Sequence, residues 1–347
     1  MHTLIPQLLD LFLESCGGDM KRWGQIVKLL AVACFFLVIN GVLYQLLTCR
    51  LGNNYSGAGQ IKMVDVKAFL PFEDESDLAR VDGSYKLTEN LPVLDGAAAL
   101  VPVYAAIIDN VYPEGCVTYE GGSFSDENYY GENFAVDSKM QYHNTLRGFN
   151  AMVDGTSDIF FGTAPSAEQL EYASEKGVEL VQVPIGLEAF VFFVNKSNPV
   201  DNLTMDQIVE IYMGKYTNWN EVGGTNRPIN PLTRVKGSGS QATMDKIMGQ
   251  HKLGKKSPWA FFGGSLGFSF RYYLEGMVQN KNVKMLSLNG IYPNEENIQN
   301  GSYPIVVPFY AIYRKDNPNK NVAALTDWII SDEGQRLIEE TGYVRIK

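Results

Sequence analysis

Asp158-Ile-Phe-Phe-Gly162-Thr-Ala-Pro-Ser166-Ala-Glu-Gln169 reads as a strand running directly into a helix. The apolar run suits a strand buried on both faces. Ser166 followed three residues later by Gln169 is a capping box that opens a helix. The same change of rhythm recurs along the chain. Leu91–Leu94 predicts a strand, and a helix follows from about Ala97 to Val111 with Pro102 near its first turn. Ser138–His143 alternates like a strand, Thr145 predicts the N-cap of a helix over Leu146–Val153, and Gly155 its end. Val181–Pro184 and Ala189–Val194 predict two further strands, and Thr204 with Gln207 caps a helix over Ile208–Met213. This β-α-β-α order predicts an α/β fold with mixed, mostly parallel sheets.

Ligands of such sheets gather where strands end and helices begin. Four junctions are therefore candidates: Gly96–Leu100, Asn144-Thr145, Gly162–Pro165 and Arg234–Ser240. The last is the richest, Arg234-Val-Lys236-Gly237-Ser238-Gly239-Ser240. Glycines let a backbone come close, first-turn N–H groups have no helical carbonyl to meet, and an Arg fork grips an oxyanion bidentately. Each junction alone could be an ordinary cap. Four together, one with Arg, favour donors converging on one anion.

Composition narrows the partners. With 29 basic and 39 acidic side chains the net charge is −10, a poor match for nucleic acid over a broad surface. A small buried anion is still compatible, because local donors hold it rather than net charge. Beyond residue 50 the chain has one cysteine, Cys116, and two histidines, His143 and His251, without ligand spacing. Neither an internal disulfide nor a His/Cys metal site is expected there, nor any cofactor.

The N-terminus carries an address. Residues 26–48 form an apolar stretch of membrane-spanning length, with Lys21, Arg22 and Lys28 at its start and Arg50 just after. The expected layout is a cytoplasmic N-terminus over 1–25, an anchor over 26–48 and an extracellular tether over 49–84. A start at Met20 with a cleaved signal, or lipidation at Cys49, are alternatives.

Several strings resemble the phosphate-binding substrate proteins of ABC transporters, in particular the membrane-tethered Gram-positive type. They are Leu94-Asp-Gly-Ala97, Pro102-Val-Tyr104, Ala164-Pro-Ser166, Pro184-Ile-Gly-Leu-Glu-Ala-Phe-Val-Phe-Phe-Val-Asn195, Ile211-Tyr-Met-Gly-Lys-Tyr-Thr-Asn-Trp219, Gly237-Ser-Gly-Ser240 and Asp327-Trp-Ile-Ile-Ser-Asp-Glu-Gly-Gln335. The resemblance implies a two-lobed, periplasmic-binding-protein-like type II fold that closes on its ligand, with lobe 1 at 85–187 and 309–347 and lobe 2 at 188–308. Ala189–Asn195 and Pro304–Tyr313 would be the crossing strands.

It also implies a site. Backbone at Ala98 and Ala99, the hydroxyl and N–H of Thr145, Thr163 on the third loop, and Arg234, Lys236, Ser238, Gly239 and Ser240 would hold inorganic phosphate or a related tetrahedral oxyanion. An ABC permease would receive it, and the ectodomain would be monomeric and without enzymatic activity. Three positions depart from the family: Ala98 replaces a Thr, Thr163 an Asp, and Lys236 an Asp. A carboxylate at 163 would accept a hydrogen bond from protonated phosphate and repel fully deprotonated anions, so its loss implies softened specificity. An anchored sensor or scaffold with a degenerate anion site is the alternative. Phe268, Phe270, Tyr272 and Tyr273 could line the cleft or pack in the core. Arg271 reads as a surface or structural ion pair, with a second cleft cation as the weaker alternative, and Trp219 as a packing anchor.

Overall fold

This computed structural model describes residues 30, 34–41, 66–124, 130–234, 237–254, 260 and 263–346. In chain order the strands are β1 (Leu94–Gly96), β2 (Tyr119–Phe124), β3 (Tyr130–Phe134), β4 (Ile159–Thr163), β5 (Leu180–Asn195), β6 (Asn202–Leu203), β7 (Ile229–Pro231), β8 (Gly264–Phe270), β9 (Val283–Met285), β10 (Ser287–Leu288) and β11 (Val306–Arg314). The helices are α1 (Val101–Val111), α2 (Asn144–Asp154), α3 (Ala167–Glu175), α4 (Met205–Tyr212), α5 (Gly239–Met248), α6 (Glu295–Gln299), α7 (Asn321–Ile329) and α8 (Asp332–Glu340).

One seven-stranded sheet organises the fold, in the order β1-β4-β11-β5-β8-β7, with β9 also paired to β5. β5 is its spine. The two strands expected at Val181–Pro184 and Ala189–Val194 are a single strand of 16 residues. Its first part pairs β11 and its last part pairs β8 and β9, so it passes from one half of the sheet to the other. Ala189 to Val194 are buried throughout. Nothing in that run is polar, so it suits a strand covered on both faces.

The pairing corrects the expected parallel bias. β1–β4, β7–β8 and β6–β10 are parallel. Every pairing of β5 and β11 is antiparallel, and among the described strands antiparallel pairs predominate. The cause is that β5 and β11 cross the middle of the sheet side by side in opposite directions.

Local signals mostly hold. Ser166 and Thr204 both close the reciprocal capping boxes expected of them. Gly155 ends α2 in the left-handed conformation. Pro102 sits in the first turn of α1, which a short 3-10 turn at Ala98–Leu100 precedes. Two readings fail. Ser138–His143 forms no strand beyond an isolated bridge from Met140 to Leu94. Thr145 is not a cap: α2 begins one residue earlier, at Asn144, with His143 as N-cap.

The stretch read as a tether packs down from Val66 onward. Val66 and Phe69 are buried, and Leu87 N–H bonds the Val111 carbonyl at 2.9 Å. Asp109 on α1 accepts from the Phe72 N–H at 2.6 Å and pairs with Arg80 at 2.7 Å. Most of the expected anchor lies outside the described residues. Within it, 34–41 is helical, with Phe35 and Leu37 exposed at 64% and 72%. Among the described residues, no helix is long and apolar enough to cross a membrane.

The larger half-core is aromatic. Phe190, Phe192, Phe268 and Tyr212 pack at tilted and edge-to-face angles, with Phe190 and Phe192 centroids 5.7 Å apart. Trp219 is buried and donates its indole N–H to the Gly264 carbonyl at 3.0 Å, so it is the packing anchor expected.

Candidate functional site: an oxyanion cavity

The four candidate junctions meet, although the second is a helix start with no strand before it. A cavity of about 80 Å³ is lined by Ala98 and Ala99 from the first, Thr145 from the second, Thr163 from the third, and Arg234, Ser238, Gly239 and Ser240 from the fourth. That is room for several waters or one small polyatomic ion. Lys236, the remaining candidate, lies outside the described residues.

Each donor is positioned by its own local structure. Thr163 ends β4, where the parallel neighbour β1 also ends, with Gly96 in register with Phe161. The first and second junctions are tied together by Asp95, which is fully buried. Its Oδ1 accepts from the N–H groups of Gly96 at 2.8 Å and His143 at 3.0 Å, and its Oδ2 meets His143 Nδ1 at 2.6 Å. That bond to Asp95 raises the His143 pKa, against the partial burial that lowers it. Asn144 then takes a left-handed φ of 66°, a conformation Asn tolerates, and presents Thr145 in the first turn of α2.

The fourth junction is braced from within α5. Gly237 has φ 86°, which only glycine adopts without strain, and Ser238 is the N-cap. The Ser238 oxygen accepts from the Gln241 N–H at 3.2 Å, leaving its own proton to donate. Gln241 in turn accepts from the Arg234 N–H at 2.7 Å and donates to Asp245 at 2.8 Å. First-turn N–H groups at Gly239 and Ser240 add donors at the positive end of the helix dipole. One guanidinium, the hydroxylic residues Thr145, Thr163, Ser238 and Ser240, and helix-start amides therefore surround one small space. Such donors suit a tetrahedral anion stripped of its water.

The family described as the PBP superfamily domain matches residues 126–333. The chain belongs to the PBP superfamily. Relatives in that company share about a quarter of their residues with it. Protein SphX of Synechococcus elongatus is 26% identical over 298 residues, covering 74% of this chain and 87% of that protein. The phosphate-binding protein PstS of Bacillus subtilis is 25% identical over 237 residues, covering 63% and 75%. In fold, this PBP chain matches a Clostridium perfringens protein whose crystal structure holds bound phosphate, with a TM-score of 0.54 at 23% identity, covering 76% of this chain and all of that one.

Leu100 and Asn144 of the first two junctions also line the cavity, as do Phe270 and Tyr273, two of the aromatic residues named as possible cleft lining. Glu188, Val307, Phe309 and Tyr343 line it too and were not anticipated. Phe309 could have been found only through register, since it pairs with both Thr163 and Gly186. Tyr343 reaches in from the C-terminal segment, its hydroxyl bonded to the Ala99 carbonyl and its ring 5.2 Å from that of Phe309. Arg271 does not line the cavity. It stands behind Glu188, with Nε 3.4 Å from Glu188 Oε1, and is the structural ion pair expected.

Proposed function

We propose that this protein captures inorganic phosphate, or a closely related tetrahedral oxyanion, and presents it to an ABC transporter permease. The observation that carries this is the convergence of four separate helix-leading segments, with Arg234, on one small cavity. The kinship with phosphate-binding proteins agrees with it. Residues 85–187 with 309–347 act as one lobe and 188–308 as the other, bending at the strands that cross the sheet. Anion binding then stabilises the closed form, the shape a permease would recognise.

Ala98 contributes backbone only, Thr163 a hydroxyl, and Lys236, two residues after Arg234 in the sequence, a second cation. The protein works outside the cell, held by the apolar segment at 26–48. The exposed apolar side chains of 34–41 support that attachment, since such a surface is normally covered by lipid or protein. It binds as a monomer and performs no chemistry on its ligand. Isothermal titration of the purified protein with phosphate tests the reading. One site per chain supports it, and absence of binding at about millimolar phosphate, a free energy near −4 kcal/mol, removes it.

A further inference from the structure

The turn that leads into α1 has a gap in its own hydrogen bonding. In a 3-10 turn each carbonyl accepts from the N–H three residues on. The Ala98–Leu100 turn begins that way, with Leu100 N–H bonded to the Ala97 carbonyl at 2.8 Å. For the Ala99 carbonyl the residue three on is Pro102, which has no N–H to give. A backbone carbonyl is a strong acceptor, and this one takes a donor from outside its turn. The donor is the Tyr343 hydroxyl.

Tyr343 is held in place from several sides. Its ring centroid lies 5.2 Å from that of Phe309 on β11 and 4.6 Å from that of Tyr272, two residues past β8. Gly342 has φ 85° and lies so close under the Tyr272 ring that a β-carbon there would have no room. Its carbonyl accepts from Arg271 Nη2 at 2.5 Å. Val344 exchanges both backbone bonds with Leu187 on β5, at 2.6 and 3.2 Å. The hydroxyl is therefore delivered to the turn by residues anchored on β5, on β11 and beyond β8.

Tyr343 lines the cavity, yet its hydroxyl has given its one proton to Ala99. Only lone pairs remain on that oxygen, and lone pairs do not attract an anion. Burial holds the phenol well above its ordinary range, so it stays a donor at neutral pH. Its contribution lies in the turn. A peptide unit is planar, so fixing the Ala99 carbonyl fixes the plane that carries it and limits the planes beside it. First-turn N–H groups have no helical carbonyl to meet and are the ones free to face a ligand. We infer that Tyr343 is a positioning residue for anion binding: it stands in for the donor that Pro102 lacks and keeps the N–H groups of Ala98 and Ala99 turned to the cavity. This rests on the oxyanion reading above.

Titration of the purified full chain with phosphate, with a melting curve for each variant, tests this. Tyr343→Phe keeps the ring against Phe309 and Tyr272 and removes the hydroxyl alone. Its phosphate affinity should fall about five- to tenfold, the scale of one hydrogen bond. Pro102→Ala gives residue 102 an N–H. In the native background it should change affinity by less than about twofold, because the Ala99 carbonyl already has a donor. Added to Tyr343→Phe, it should bring affinity back to within about twofold of native.

A tyrosine with a merely structural role would lower the melting temperature when replaced, leave the affinity of the folded protein native, and gain nothing from Pro102→Ala. Native affinity in Tyr343→Phe therefore overturns the assignment, as does a loss that Pro102→Ala does not restore. Should Tyr343→Phe alone not fold, the double variant decides: it should fold and bind, and its failure to do so overturns the assignment as well. A native chain that binds no phosphate removes the oxyanion reading itself, whereas phosphate binding indifferent to position 343 removes only the role of Tyr343.

Discussion

Gly239 faces Thr163 across the cavity so closely that a β-carbon at position 239 would lie 3.6 Å from the Thr163 hydroxyl oxygen and 4.0 Å from that of Thr145. Residues from three distant parts of the chain are thus within one atom's reach. Gly239→Ala should be accepted by the fold, since those distances are ordinary contacts and Ala suits a helix better than Gly by ~0.5–1 kcal/mol. The new methyl would stand where an anion must sit. Phosphate affinity should fall at least about tenfold, or ~1.4 kcal/mol, while the melting temperature holds or rises. A drop in melting temperature with normal affinity would contradict the geometry.

Arg234 supplies the one guanidinium among the described lining residues. Its loss removes charge-assisted hydrogen bonds worth about 1.5–3 kcal/mol each. Arg234→Ala should therefore weaken phosphate about a hundredfold or more. Arg234→Lys keeps the charge but not the planar fork, and should fall between the two. Equal affinities for the Lys and native forms, measured by titration, would mean that charge alone matters.

Gln241 never touches the cavity, yet it holds the Arg234 N–H, the Ser238 oxygen and Asp245 together. Gln241→Ala should loosen the loop at a cost of about 1 kcal/mol in stability per lost bond. Its larger effect should be on affinity, because the donors lose their fixed geometry. Denaturation and titration of the same variant separate the two effects. A stability loss without an affinity loss would show that the loop keeps its shape unaided.

Arg271→Met leaves Glu188 buried without its cation. Removing one partner of a buried pair costs about 3–5 kcal/mol when the remaining group stays charged. A carboxyl whose folded pKa is raised contributes stability that is full below its unfolded range and is lost as pH rises through the raised value. Native Glu188 reaches about 7, and without Arg271 it moves higher. The penalty of Arg271→Met should therefore be small near pH 6 and larger near pH 8. Urea denaturation at both values checks this, and an equal penalty at each would sink the account of the pair.

The parts of this molecule legible in its sequence were those fixed by neighbours in the chain. Ser166 and Thr204 close capping boxes within one turn, and Gly155 needs only its own φ. The four junctions were legible for the same reason. Thr145 misled because a hydroxyl ahead of an apolar run looks like a cap, whereas the buried Asp95 fixes the turn at His143 and starts the helix earlier. β5 was read as two strands because Pro184 to Glu188 interrupts the apolar pattern. In the fold that interruption is where β11 pairs and the cavity opens. Phe309, Glu188 and Tyr343 were out of reach altogether, since their place in the site comes from strand register and from the packing of the C-terminal segment.

The most direct test of the central claim is calorimetric titration of the purified protein with phosphate, repeated with Arg234→Ala. The account predicts saturable binding at one site per chain that the substitution abolishes. Absence of heat and of thermal stabilisation at about millimolar phosphate would contradict it, as would binding that survives the loss of Arg234.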